Sequence, residues 1–290
     1  SIILLDTILL AIVNLVLNYG LIFGELGLPA MGIGGSGLAS TIAEAVAFVV
    51  FVAYMFFDKK NRPLRVFSRP YPDWELTRQQ LSLSIPVVAH SAIGQGSWIF
   101  FFGMVENLGE KALAISNLAR TVYLLLSIPL WGFSAGVNTL VSNLIGQERR
   151  HEVLRAAWKT ASLCWLVTMC IAVPVLFFPN QLMHPLFNKT EGSLLVDAQP
   201  VFYMLLVILM LSTFGAVLVN TLSGTGATFF GLKVQAVSVV IYLCYIYYIT
   251  NMVQNAGLAW VWFAEVVYWL VMILMAVLYL RSEKWHAHKF

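Results

Sequence analysis

The sequence predicts an all-α bundle of about eight membrane-spanning helices, and three observations carry that reading. The first is composition. Only 11% of the 290 residues are charged and 60% are hydrophobic, whereas soluble domains carry about 25% charged residues. The second is the length of the apolar runs. Crossing roughly 30 Å of hydrocarbon at about 1.5 Å per residue takes ~20 mostly apolar residues in a helix. The third is the way lysine and arginine sort between alternate loops, taken up below. A transmembrane barrel is excluded, because its short strands alternate apolar with polar residues and no segment here does so.

Eight stretches meet the length requirement: 2–23, 31–57, 81–105, 112–145, 156–178, 201–222, 230–250 and 258–280. The first run has no charged stretch before it and is longer than the apolar core of a signal peptide, so it reads as a span. Between 58 and 80 lies the longest polar segment, DKKNRPLRVFSRPYPDWELTRQQ. Pro63, Pro70 and Pro72 interrupt any helix there. It reads either as a solvated linker or as a linker ending in a short interfacial helix capped by Asp73. It separates two spans before it from six after it. Pro86, Pro129, Pro174 and Pro200 lie in or at the start of later spans and are expected to kink them.

The basic residues give the spans a direction. Lys59, Lys60, Arg62, Arg65, Arg69 and Arg78 fall in one loop, and Arg149, Arg150, Arg155 and Lys159 in a second. Lys233 marks a third, and Arg281, Lys284 and Lys289 lie in the C-terminal tail. The alternate loops hold only Lys111 and Lys189, and Arg120 lies inside a run. Cytoplasmic loops carry the excess of Lys and Arg, so both ends of the segment are placed in the cytoplasm. The net charge of +3 therefore reflects topology. Nucleic-acid binding would need a basic face, and none is present. Cys164, Cys170 and Cys244 sit in apolar runs without metal spacing and read as small hydrophobes. Neither HExxH, GxSxG nor a paired-Asp motif occurs, so no catalytic residue, enzyme activity or cofactor is expected.

Several strings, in order, resemble the MATE family of multidrug and toxic compound extrusion transporters. NLVLNYGLIFG (14–24) and GIGGSGLAST (32–41) are similar to its fifth and sixth helices. SIPVVAHSAIGQG (84–96) and ENLGEKALAISNLARTVY (106–123) are similar to the seventh helix and the entry to the eighth. IPLWGFSAGVNTLVSNLIGQ (128–147) matches the end of the eighth, and NTLSGTGAT (220–228) the end of the tenth. The resemblance implies a piece of a twelve-helix transporter. Residues 1–57 would be the last two helices of its N-terminal lobe, 58–80 the cytoplasmic linker, and 81–290 the six-helix C-terminal lobe. It further implies a monomeric antiporter of the bacterial inner membrane. That antiporter would export drug-like amphipathic compounds in exchange for H+ or Na+ by alternating access. The alternatives are a lipid-linked oligosaccharide flippase of the same superfamily and a membrane protein without transport function.

Polar groups in hydrocarbon are costly and tend to face a cavity or a partner helix. Glu44, near the middle of the 31–57 span, is a candidate proton carrier or a helix-paired acid. Asn14 and Asn18 share a helix face. The resemblance places that face at an ion-linked cavity, where the second position is often Asp, and interhelical hydrogen bonding is the alternative. Gln95 lies between Gly94 and Gly96, where the resemblance puts a cation-binding acid. The possible Na+ position is therefore near Gln95, with close helix packing as the other explanation of the glycines. His90 stands one turn earlier. Ser212 falls where sodium-coupled members carry an Asp. Asn117 and Arg120 are one turn apart, and Arg120 is expected either to pair with Glu106 or Glu110 or to snorkel. Glu265, in the last span, completes the candidates for coupling ion or substrate.

Overall fold

In the computed structural model the described residues are 2–58, 73–178, 196–253, 257–282 and 285. They form helices without a strand. These are α1 Ile2–Phe23, α2 Ile33–Phe57, α3 Trp74–Glu106, α4 Glu110–Leu126 and α5 Ile128–Gly146. A 3₁₀ turn at Arg150–Glu152 leads into α6 Val153–Phe177, followed by α7 Gln199–Gly224, α8 Thr228–Met252 and α9 Leu258–Arg281. Among the described residues seven helices are each long and apolar enough to cross a membrane, and counting the bent pair α4 and α5 as one span gives eight. Most of the 58–80 linker, including its three prolines, lies outside the described residues, as do Lys189, Lys284 and Lys289.

Two boundaries differ from expectation. The 81–105 span begins at Trp74, because 74–80 continue the same helix as α3. The single long span expected over 112–145 is broken at Ser127, where the α4 and α5 axes diverge by 46°. Pro129 is the cause. It stands in the first turn of α5 and has no N–H to give the carbonyl one turn back. The hydroxyl of Ser127 donates to the carbonyl of Tyr123 at 2.6 Å, occupying an acceptor at the break.

The chain divides into two compact units, residues 1–73 and 74–290. In the first, α1 packs on α2. The buried positions of α2 are Gly35, Ala39, Ala43 and Ala47. Small residues four apart let two helix backbones approach closely, which in lipid gives packing without a hydrophobic drive.

In the second unit α7 is central, packing on α5, α6 and α9, while α8 bridges α3 and α9. More than half of the apolar window of α7 is buried. Two apolar cores result. One gathers Phe101, Phe202, Tyr242 and Trp262. The other gathers Val141, Ala157, Ala161, Leu218, Leu222 and Ala276. Alanine at the crossings of α6 with its neighbours leaves room for leucine from α7. At the foot of α7 Gly224 meets α5, where an added Cβ would stand 2.8 Å from the carbonyl oxygen of Asn138. The hydroxyl of Ser142 reaches the Gly224 carbonyl at 3.1 Å, tying the two helices there.

Candidate functional site

Between the two cores of the second unit is a cavity of about 300 Å³. α3 lines it with His90, Gly94, Gln95 and Trp98. α4 and α5 add Tyr123 and Trp131 on either side of the Ser127 bend. α8 adds Gln235 and Tyr242, and α9 adds Glu265, Tyr268 and Trp269. The spacing on the last two helices explains why they converge. Positions 235, 238 and 242 share one face of α8, and 265, 268, 269 and 272 share one face of α9. Each stripe turns its polar members toward the same space.

Gln235 is fully buried. Its Oε1 accepts the Tyr268 hydroxyl at 2.9 Å, while its Nε2 has no partner. Gly94 leaves space for that amide, since a Cβ at 94 would lie 3.1 Å from Nε2. Tyr242 is buried with its hydroxyl toward the Glu265 carboxylate and Trp269 Nε1 is directed at the Tyr123 hydroxyl, while His90 Nε2 has no partner. Buried polar groups are nearly always satisfied, so the two unpartnered nitrogens, Gln235 Nε2 and His90 Nε2, mark this cavity as built to receive something. Among the described residues Glu265 supplies its only carboxylate, and it is 6% exposed. No basic side chain forms an ion pair with it among the described residues.

Aromatic rings make the opposite wall. Trp98 stands 5.7 Å from Phe101, 6.1 Å from Tyr123 and 6.0 Å from Trp262, centre to centre. Trp262 Nε1 donates to Ser116 Oγ at 3.2 Å, holding the far side of this cluster. The Arg120 guanidinium lies 5.5 Å from the Trp98 ring centre and 5.2 Å from that of Phe102. The expected pairing of Arg120 with Glu106 or Glu110 is not formed. Lys111 and Asp197 do form an ion pair, at 2.8 Å.

Of the expected site residues, the cavity brings together His90, Gln95 and Glu265. Ser212 is buried in α7 with its hydroxyl on the Leu209 carbonyl, 3.0 Å away, and does not line the cavity. Asn117 is exposed. In the first unit Asn18 Nδ2 donates to Asn14 Oδ1 at 2.8 Å, and Asn14 Nδ2 to Ser40 Oγ at 3.2 Å. Glu44 is exposed, off the buried face of α2, and makes no ion pair or hydrogen bond among the described residues. Gln235, Tyr268 and Trp269 were not singled out from the sequence. The signal that would have found them is the spacing of polar and aromatic positions on α8 and α9.

No three of His, Cys, Asp and Glu come together among the described residues. The chemistry the cavity offers is therefore one buried carboxylate, hydroxyl and amide groups beside it, and aromatic faces. That combination suits a group whose charge changes or a flat amphipathic guest.

Known proteins resemble the chain in sequence and in fold. The chain is 22% identical over 272 residues to a probable multidrug resistance protein NorM of Thermotoga maritima, covering 94% of this chain and 58% of that protein. It is 29% identical to a protein of the same description from Agrobacterium fabrum over 59% of this chain and 37% of the relative. It thus spans less than two thirds of the length of these relatives. Two solved structures share the fold. One is a multidrug resistance MATE family transporter in an outward-facing conformation, with a TM-score of 0.81 at 20% identity, covering 96% of this chain and 61% of that one. The other is a MOP superfamily transporter from Pyrococcus furiosus, with a TM-score of 0.82 at 19% identity and the same coverage. The MatE family model matches residues 86–248, more than half of the chain and most of the helices that line the cavity, and the chain belongs to that family.

Proposed function

We propose that the full-length protein is a secondary antiporter that exports amphipathic organic compounds in exchange for H+. The observation that carries this is Glu265, a lone carboxylate buried among Tyr242, Tyr268 and Gln235 in an aromatic-walled cavity. A charge that is buried without a counter-charge is costly. Taking up a proton, or exchanging it for a cationic guest, therefore alters the energy of the state that encloses the carboxylate. A ligand shifts a conformational equilibrium only by binding its states unequally, and a group of this kind supplies the inequality. The family and the names of the relatives support drug-like substrates. In this reading residues 1–57 belong to an N-terminal lobe, 58–80 link the lobes in the cytoplasm, and 81–290 form the C-terminal lobe. The membrane is the bacterial inner membrane. Among the described residues the cavity lining holds neither Lys nor Arg, which disfavours a pyrophosphate-linked sugar as cargo.

The test is ethidium efflux from proteoliposomes of the full-length protein under an imposed pH gradient. Glu265→Gln is expected to lower gradient-driven efflux by more than tenfold, the factor that ~1.4 kcal/mol of lost coupling corresponds to. Unchanged efflux in that variant sinks the assignment. Efflux that follows a Na+ gradient and ignores pH would replace H+ by Na+, with the same carboxylate and Gln95 as the first ligands to test.

A further inference from the structure

A second and larger pocket, of about 730 Å³, opens where the first turns of α3 meet the α7–α8 turn. Gln79, Gln80 and Ser82 enter it from α3, and Thr228 and Lys233 from α8. Among the described residues its lining contains no Asp or Glu. α8 is 25 residues long, and Ala227 at its N-cap gives no side-chain bond to the free amides of the first turn. Such an end attracts negative charge. Thr228 is a second and independent sign. Its side chain is 8% exposed, borders the pocket, and makes no hydrogen bond among the described residues. Lys233 is exposed, forms no ion pair among the described residues, and holds its ammonium 5.0 Å from the Phe229 ring centre.

The surroundings indicate what carries the negative charge. Phe229, Lys233, Val237 and Val240 follow one another along a single side of α8. The three apolar members are 61%, 42% and 60% exposed. An anionic head in the pocket would thus have an apolar track of several turns leading away from it. A free phosphate has no use for such a track, and an acyl chain does.

We propose that this pocket binds the phosphate head of an acidic phospholipid, with an acyl chain along Phe229, Val237 and Val240. The site is separate from the Glu265 cavity and does not depend on the transport reading.

The experiment is native mass spectrometry of the full chain, delipidated and then offered phosphatidylglycerol or phosphatidylcholine, with thermal unfolding as a second readout. Phosphatidylglycerol is expected to be retained preferentially and to raise the unfolding temperature. Lys233→Gln should lower its retention by roughly fivefold, the factor one basic residue near an anionic surface contributes. Thr228→Val should also lower it, Lys233→Arg should preserve it, and Lys159→Gln, outside the pocket, should leave it intact. Inorganic phosphate alone should give no thermal shift. Equal retention of the two lipids, indifference to Lys233→Gln, or a shift from phosphate as large as that from phosphatidylglycerol would each overturn the proposal.

Discussion

Arg120 is the residue whose position has the most direct consequence for ligand choice. Its guanidinium covers faces of Trp98 and Phe102, and a cation over an aromatic ring is worth about 0.5–2 kcal/mol. A cationic guest at the Trp98 ring therefore meets a resident cation beside that ring, although Arg120 is not itself among the described residues that line the cavity. Arg120→Gln is expected to tighten binding of tetraphenylphosphonium several-fold, measured by quenching of tryptophan fluorescence, while Arg120→Lys leaves it near the original value. Weaker binding in the Gln variant would show that Arg120 supports the wall rather than occupying it. The same residue shows how far single positions were legible. Arg120 stands out in sequence as a charge in an apolar run, but its partner does not, because Trp98 lies on another helix and contributes only a ring face. Gln235 was harder still. One amide among many apolar residues carries no meaning until α9 brings Tyr268 to within 2.9 Å of it.

At the scale of elements, the helices were legible because the bilayer imposes one length on each of them, and the apolar runs report that length almost directly. Their ends were less so. α3 takes in Trp74 and Glu75 because an exposed first turn needs no hydrophobicity. The break at Ser127 was visible only as Pro129, and a proline at the start of a helix and one within a helix look alike in a string of letters. Packing between helices left a clearer trace in glycine. Gly224→Ala would place a methyl group against the Asn138 carbonyl and 3.0 Å from Val141 Cβ. Overpacking of this kind costs about 1–3 kcal/mol. A lowered unfolding temperature with unchanged helix content, followed by circular dichroism, is the expected result. An unaltered melt would mean that α5 and α7 can separate at that point without loss.

For the molecule as a whole, direction in the membrane is the property that the charge pattern proposes. Asn107, in the α3–α4 turn, and Glu148, after α5, are both exposed, and the charge pattern places them on opposite sides. In a background lacking Cys164, Cys170 and Cys244, Asn107→Cys is expected to react with an impermeant thiol reagent in intact cells. Glu148→Cys should react only after permeabilisation. The reverse pattern would invert the topology and with it the proposed direction of transport.

The gap at Gly94 has a consequence for how this cavity can change. With 3.1 Å between a hypothetical Cβ and the Gln235 amide, the two positions are not independent variables. A bulkier residue at 94 is admissible only where 235 shortens, and a shortened 235 surrenders the acceptor that Tyr268 uses. Drift at one site drags a second and then a third, on three different helices. The interior of this unit is therefore expected to evolve in blocks, and an engineer who wishes to enlarge it should start at 268 and work inward.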